Sequence, residues 1–181
     1  MQDLTEHCIS SQTIASGGML NVKRDQVRLP SGHTSQREYI THPGAVVIVP
    51  ILPNGNVILE RQFRYPLHQV FIELPAGKID AGEDILITGK RELLEETGYS
   101  ASEWIKLGHQ HPCIGYSNEV IHMYMARGLS AGAHQRDEDE SLEVFEAPFE
   151  QCIQMIQNGE ITDGKTSITL FFAEKYLLKN G

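Results

Sequence analysis

Turn-forming sequences divide the first half of the chain into short stretches that contain both apolar and polar residues. The pattern is typical of β-strands. The segment 45–52 differs because it is mostly apolar, which favours a buried strand, and Pro53-Asn54-Gly55-Asn56 then predicts a hairpin turn. Strands are predicted over residues 8–28, as a pair joined at Gly17-Gly18, and over 36–41, 45–52, 57–62 and 70–74.

A helical pattern begins at Asp84. Residues 84–97 are rich in helix formers, and Gly98 is a natural helix stop. Further strands are predicted near 104–109, 119–127 and 142–146, and helices near 148–157 and 164–178. The order predicts an α/β (α+β) fold, in which a mixed sheet carries helices on its faces. We divide the chain into an N-terminal antiparallel β segment, 1–42, and a main domain, 43–181.

Composition narrows the class of protein. A chain of 181 residues with 40% hydrophobic residues is expected to form a globular domain with a sizeable core. The net charge of −9 argues against a nucleic-acid partner, which usually requires a basic face. Three scattered cysteines form no CxxC pair, and no apolar run has the ~20 residues of a membrane span. We therefore expect a cytoplasmic protein that has reduced thiols, no signal peptide and no membrane partner.

Three glutamates mark the candidate chemistry. Glu92, Glu95 and Glu96 are spaced i, i+3 and i+4, so a helix places their carboxylates on one side. A hard divalent cation would relieve their mutual repulsion, and Mg²⁺ prefers carboxylate oxygens. Arg91 is placed to reach either Glu95 or Glu83 and so to hold a ligand in position. For a glutamate triplet alone, a solvated acidic helix face would be the simpler interpretation.

The surrounding sequence, GKIDAGEDILITGKRELLEETGY at 77–99, resembles the Nudix box, with Tyr99 at its final aliphatic position. The matching positions are Gly77, Glu83, Arg91, Glu92, Leu93, Glu95, Glu96 and Gly98. The resemblance implies an α/β/α sandwich and a pyrophosphate hydrolase with Mg²⁺, or Mn²⁺ in its place, as cofactor. It also implies that Glu92, Glu95, Glu96 and the Ala76 carbonyl bind the metal and that Arg91 belongs to the catalytic set.

Segments outside the box resemble the ADP-ribose pyrophosphatase branch of that family. They are Arg37-Glu38, 42–46, 60–65, 73–77, 112–119 and 163–166. The resemblance implies hydrolysis of ADP-ribose to AMP and ribose 5-phosphate. The substrate-binding residues that it implies are Arg37, Arg64, Glu73 and Glu119. For Glu73, an ion pair with an arginine is an equally simple interpretation.

The choice of substrate stays open. The branch usually carries a proline immediately before a loop glycine, and Ile114 holds that place here. The alternatives are GDP-mannose, another nucleotide sugar, a dinucleotide, or an oxidised nucleoside triphosphate. A Nudix-fold sensor without hydrolysis is a further alternative, although such modules typically lose box carboxylates.

The resemblance also implies a catalytic base and a homodimer. An acidic loop supplies the base in that branch, and alignment on the strand at 142–144 makes Glu138 the candidate and Glu140 the runner-up. The first ~40 residues hold short strands that are too few to bury a core alone. We expect them to pack across a twofold axis, with Arg37 contributing to the substrate site near the interface.

Overall fold

A computed structural model describes residues 2–132 and 141–180 of the chain. Its strands are β1 His7–Ser16, β2 Asn21–Arg28, β3 Thr34–Thr41, β4 Ala45–Pro50, β5 Asn56–Arg64, β6 Gln69–Glu73, β7 Ala76–Lys78, β8 Tyr99–Gln110, β9 Ile121–Ala131 and β10 Leu142–Pro148. Its helices are α1 Ile85–Thr97, α2 Phe149–Gln157 and α3 Gly164–Asn180.

The three N-terminal strands form a sheet of their own, in the antiparallel order β1-β2-β3. This confirms the strand pair predicted over 8–28 and the third strand that follows it. β1 is exposed along its whole length, and Val27 is the buried hydrophobic residue of β2. The sheet therefore has little core of its own, and the division at residue 42 stays a prediction.

The central sheet is mixed, in the order β7-β4-β9-β8, with β4 parallel to β9 and the other pairs antiparallel. Its middle strand β4 is buried on both faces. Val46 and Ile48 pack with Leu93 of α1, whereas Val47 and Val49 pack with Leu170 of α3. Helices on both faces explain why this strand is apolar throughout instead of alternating, and they confirm the predicted fold class.

The start and end of helix α1 follow from local chemistry. The Asp84 side chain accepts hydrogen bonds from the backbone N–H groups of Leu86 and Ile87, and Gly98 ends the helix with a left-handed φ of 75°. A Cβ at Gly89 would lie 3.2 Å from Val46, so this glycine allows the helix to approach β4 closely. These contacts fix the helix against the sheet and confirm the predicted span of 84–97.

A third sheet, β10-β5-β6, lies next to the candidate chemistry. Its register places Glu60 of β5 opposite Glu73 of β6 on one side and opposite Val144 of β10 on the other. The chain then passes through Leu74-Pro75 into β7, a strand that the sequence pattern did not predict. Three residues are too few to show a period, and β7 forms by pairing with residues 45–47 of β4.

Candidate active site

The box brings β7 and α1 into direct contact. The backbone N–H of Ala76 donates a 2.9 Å hydrogen bond to the Glu96 carboxylate, and Glu96 is buried at 4% exposure. Two of the predicted metal ligands are thus neighbours, although they are 20 positions apart in the sequence. The box thus forms a strand–loop–helix unit from β7 to α1.

Arg91 holds three of the box glutamates. Its guanidinium donates two 3.0 Å hydrogen bonds to Glu83, one of 2.8 Å to Glu92 and one of 2.9 Å to Glu95. Hydrogen bonds from Arg91 and then from Thr88 lower the pKa of Glu83 to about 2. The sequence left Glu83 and Glu95 as alternatives, and the structure shows that Arg91 reaches both and Glu92 as well.

Gly77 leaves room for the Glu92 carboxylate. A Cβ built at Gly77 would lie 1.9 Å from the carboxylate carbon of Glu92, well inside van der Waals contact. Glycine is needed here because the Glu92 carboxylate occupies the space that a methyl group would require. The reason is not backbone conformation, since the φ of Gly77 is not in the left-handed region. The first residue of the box therefore sets how closely Glu92 approaches β7.

Gly77→Ala is expected to lower kcat/KM by about 10- to 100-fold, because it displaces Glu92 by an ångström or more. The fold should survive, since the atoms that must move are the far end of a flexible side chain. Steady-state kinetics and thermal melts would measure both effects. The matched control is Gly18→Ala, where a Cβ meets nothing within 4 Å. Wild-type kinetics for Gly77→Ala would contradict the placement of Glu92 in the site.

A divalent cation fits the chemistry of this donor set. Among the described residues, no three His, Cys, Asp or Glu side chains are already arranged as metal ligands, and Arg91 occupies Glu92 and Glu95. The donors are nevertheless the hard oxygens that Mg²⁺ or Mn²⁺ prefers, and Gly77 lets the Glu92 carboxylate lie directly against β7. The assignment of Ala76, Glu92, Glu95 and Glu96 as metal ligands stays a prediction.

Glu73 lies beside the box in a cluster with two cations. Arg64 donates hydrogen bonds of 2.6 and 2.7 Å to its two oxygens, and Lys165 Nζ donates another. Burial alone would raise the pKa of Glu73, but the hydrogen bonds from Arg64 and the charge of Lys165 hold it below its ordinary value. The ion pair considered for Glu73 in the sequence is therefore present.

A cavity of about 250 Å³ opens over this cluster, and Arg64, Phe71 and Lys165 are among the residues that line it. Lys165 also bonds Asp163 at 3.0 Å, and Asp163 accepts a hydrogen bond from the backbone N–H of Thr166 in the first turn of α3. Sequence reasoning did not single out Lys165 as a site residue. Its position at the start of α3, after an aspartate, was the available signal.

Glu60 is a second residue that the sequence analysis missed. It is 3% exposed on β5, opposite Glu73. Burial and then the charge of Glu73 raise the pKa of Glu60 to about 7, and a hydrogen bond with Glu96 opposes that rise. The signal in the sequence was a glutamate that directly follows three apolar residues of a predicted strand.

The remaining predicted site residues lie elsewhere. Arg37 on β3 makes a two-pronged ion pair with Glu6, at 2.9 and 2.6 Å. Glu119 lies 3.6 Å from His42 Nδ1, at the loop before β9. The base candidates Glu138 and Glu140 lie outside the described residues. The structure thus brings together Arg64, Glu73, Ala76 and the box residues, and it leaves Arg37 and Glu119 in other contacts.

Comparison with known proteins identifies the family of the chain. The model of the NUDIX domain matches residues 41–167. ADP-ribose pyrophosphatase of Bacillus subtilis is 36% identical over 96% of this chain and 95% of its own length. Methanol dehydrogenase activator of Bacillus methanolicus is 38% identical over 93% and 92% of the two chains. GDP-mannose pyrophosphatase of Yersinia enterocolitica is 35% identical over 72% and 73%.

A solved structure described as an ADP compounds hydrolase superposes with a TM-score of 0.90, at 22% identity, over 100% of this chain and 99% of that one. This likeness establishes the fold. The fold and the complete box define a hydrolase of the Nudix class. The chain belongs to the NUDIX family.

Proposed function

We propose that this Nudix hydrolase cleaves the pyrophosphate of ADP-ribose and releases AMP and ribose 5-phosphate. The observation that carries the proposal is the complete box, assembled on β7 and α1 next to the cavity with Arg64 and Lys165. The full-length likeness to an ADP-ribose pyrophosphatase supports the choice of substrate. The likeness to a GDP-mannose pyrophosphatase makes GDP-mannose the second candidate.

The family generally depends on a divalent metal ion, and we propose Mg²⁺, with Mn²⁺ able to replace it. Glu92, Glu95, Glu96 and the Ala76 carbonyl would hold the ion. When bound, it neutralises charge on the phosphates and lowers the pKa of the attacking water. The protein itself orients the carboxylates. Arg91 does this for Glu83, Glu92 and Glu95 through its four hydrogen bonds.

Arg64 and Lys165 are proposed to bind the phosphate or sugar on the far side of the scissile bond. Arginine suits this task because its planar fork gives bidentate hydrogen bonds to phosphate. Glu73 would hold both cations at the cavity wall. Arg37 and Glu119 are proposed to contact the nucleoside end of the substrate.

Arg64→Ala is expected to raise KM by about 10- to 100-fold with a smaller change in kcat, because it removes one charge-assisted contact to phosphate, worth about 1.5–3 kcal/mol. Steady-state kinetics with ADP-ribose would measure the changes in KM and kcat separately. Arg61→Ala is the matched control, since Arg61 lies on the same strand as Arg64 and pairs with exposed Glu143 of the neighbouring strand β10. An unchanged KM for Arg64→Ala would exclude Arg64 from the substrate site.

We also propose a cytoplasmic homodimer. No helix in the described part of the chain is long and apolar enough to cross a membrane. The exposed hydrophobic residues Ile9, Ile14, Met19 and Leu20 lie in or beside β1, and burying such residues would stabilise an association of two copies.

The homodimer prediction is that light scattering gives about twice the mass of the 20.3 kDa chain. Replacing Ile9 and Ile14 by serine should shift the protein towards monomer, because both side chains lie on the exposed strand β1. A wild-type monomer with full activity would refute the dimer and its role in the substrate site.

A substrate panel with Mg²⁺ tests the proposed function. The panel contains ADP-ribose, GDP-mannose, NADH and an oxidised nucleoside triphosphate, and chromatography identifies the products. The highest kcat/KM for ADP-ribose, with AMP as product, is the expected result. Preference for GDP-mannose would replace the first candidate by the second. Ligand binding without turnover of any compound would indicate a sensor.

A further inference from the structure

Glu60 is a buried carboxylate at the end of the apolar run of strand β5. Val57, Ile58 and Leu59 before it are 2% exposed or less, and Glu60 itself is 3% exposed. Removing a carboxylate from water is costly unless a partner compensates its charge and its hydrogen bonds. The charge and the hydrogen-bonding capacity of the buried Glu60 carboxylate therefore require a partner.

The nearby cations are engaged with other carboxylates. Arg64 binds both oxygens of Glu73, and Lys165 binds Glu73 and Asp163. Glu60, Glu73 and Asp163 carry three formal negative charges against these two positive ones. The cluster therefore has one more negative than positive charge. Among the described residues neither cation hydrogen-bonds Glu60, although the charges of both lower its pKa.

The two oxygens of Glu60 have different surroundings. Glu96 of the box lies within hydrogen-bond reach of the carboxyl group. The Oε2 atom is buried and has no hydrogen-bond partner in the described part of the chain. An acceptor oxygen that is buried and unpartnered, next to a candidate metal ligand, is an atom that a bound cation would satisfy.

We propose that Glu60 is an additional ligand of the divalent cation held by Glu96. The inference rests on the proposed function, because it takes the box glutamates as the metal site. A divalent cation would supply the missing positive charge and satisfy the free oxygen of Glu60, and it would turn the repulsion between Glu60 and Glu96 into shared coordination. The metal centre then extends from α1 to β5, where it adjoins the Arg64–Glu73–Lys165 cluster.

A different role for Glu60 would be to keep a proton and to position Glu96 through the hydrogen bond alone. Glu60→Gln separates the two roles. The amide matches glutamate in shape and can still donate a hydrogen bond to Glu96, so a positioning role survives. A neutral amide is a much weaker ligand for a hard cation, so a coordinating role does not.

The experiment is a Mn²⁺ titration of the full chain without substrate, in which electron paramagnetic resonance measures free Mn²⁺. Saturable binding by the wild type and binding at least about 10-fold weaker in Glu60→Gln are expected. Glu143→Gln, which removes an exposed carboxylate from the neighbouring strand β10, should bind like the wild type. Thermal melts provide a second measurement, in which Mn²⁺ should raise the Tm of the wild type more than that of Glu60→Gln.

Wild-type affinity in Glu60→Gln, together with lost binding in Glu96→Gln, would overturn the role of Glu60 and leave the box site intact. Absence of saturable binding by the wild type would overturn both. If circular dichroism shows that Glu60→Gln does not fold, Glu60→Asp takes its place. Weaker Mn²⁺ binding by that variant supports the inference, and unchanged binding overturns it.

Discussion

Replacing Glu96 by glutamine is expected to lower kcat by at least about 10²–10³-fold while the fold survives. Glu96 is buried between Ala76 and Glu60, and it is a proposed ligand of the divalent cation. The amide retains an oxygen that accepts the hydrogen bond from the Ala76 N–H, so the contact between β7 and α1 remains. The decrease in kcat therefore reports the loss of the carboxylate charge and not a change in the packing of the helix.

When both proteins are measured without metal, the Tm of Glu96→Gln should equal or exceed that of the wild type. Glu96 lies among like charges, because it contacts Glu60 and shares its helix side with Glu92, and neutralising it reduces their repulsion. The control is Glu103→Gln, which removes the same charge from an exposed position on β8. Near-wild-type turnover of Glu96→Gln in Mg²⁺ would contradict the metal-site assignment.

The metal-site candidates could be predicted from the sequence because they are local. Glu92, Glu95 and Glu96 share one side of any helix, whatever surrounds it, and Asp84 and Gly98 specify the ends of that helix. The core strand β4 could also be predicted from the sequence, because a strand between two helix layers must be apolar on both faces. These features depend on spacing and composition, which a single chain displays.

Glu60 and Lys165 depend instead on pairings between distant segments. A glutamate after an apolar run is usually a solvent-facing residue of a half-buried strand. Only the register of β5 with β6, which places Glu60 opposite Glu73, shows that it faces inward. Lys165 reaches Glu73 across 92 positions because buried Thr166 fixes the start of α3 to the backbone N–H of Leu74. No local pattern encodes either contact.

Glu138→Gln is expected to lower kcat by about 10²–10⁴-fold, the usual contribution of a general base, with little change in KM. The candidate lies outside the described residues, and strand β10 follows it in the sequence. Leu142 at the start of β10 pairs with Gln62, and Val144 pairs with Glu60. The chain therefore enters β10 beside the strand that carries Glu60 and Arg64.

The metal ligands themselves are poor candidates for the base, because a carboxylate that binds a cation has little affinity left for a proton. An acidic residue supplied from outside the box is therefore the simpler source, with Glu140 as the runner-up.

The pH dependence of Glu138→Gln distinguishes a base from a residue that only supports the fold. The loss of kcat should shrink as pH rises, because hydroxide becomes more abundant and no base is needed to generate it. A purely structural defect would persist at every pH. Asp137→Asn is the matched control, since it removes one charge from the adjacent position. If neither Glu138→Gln nor Glu140→Gln slows turnover tenfold, the base belongs to another part of the chain.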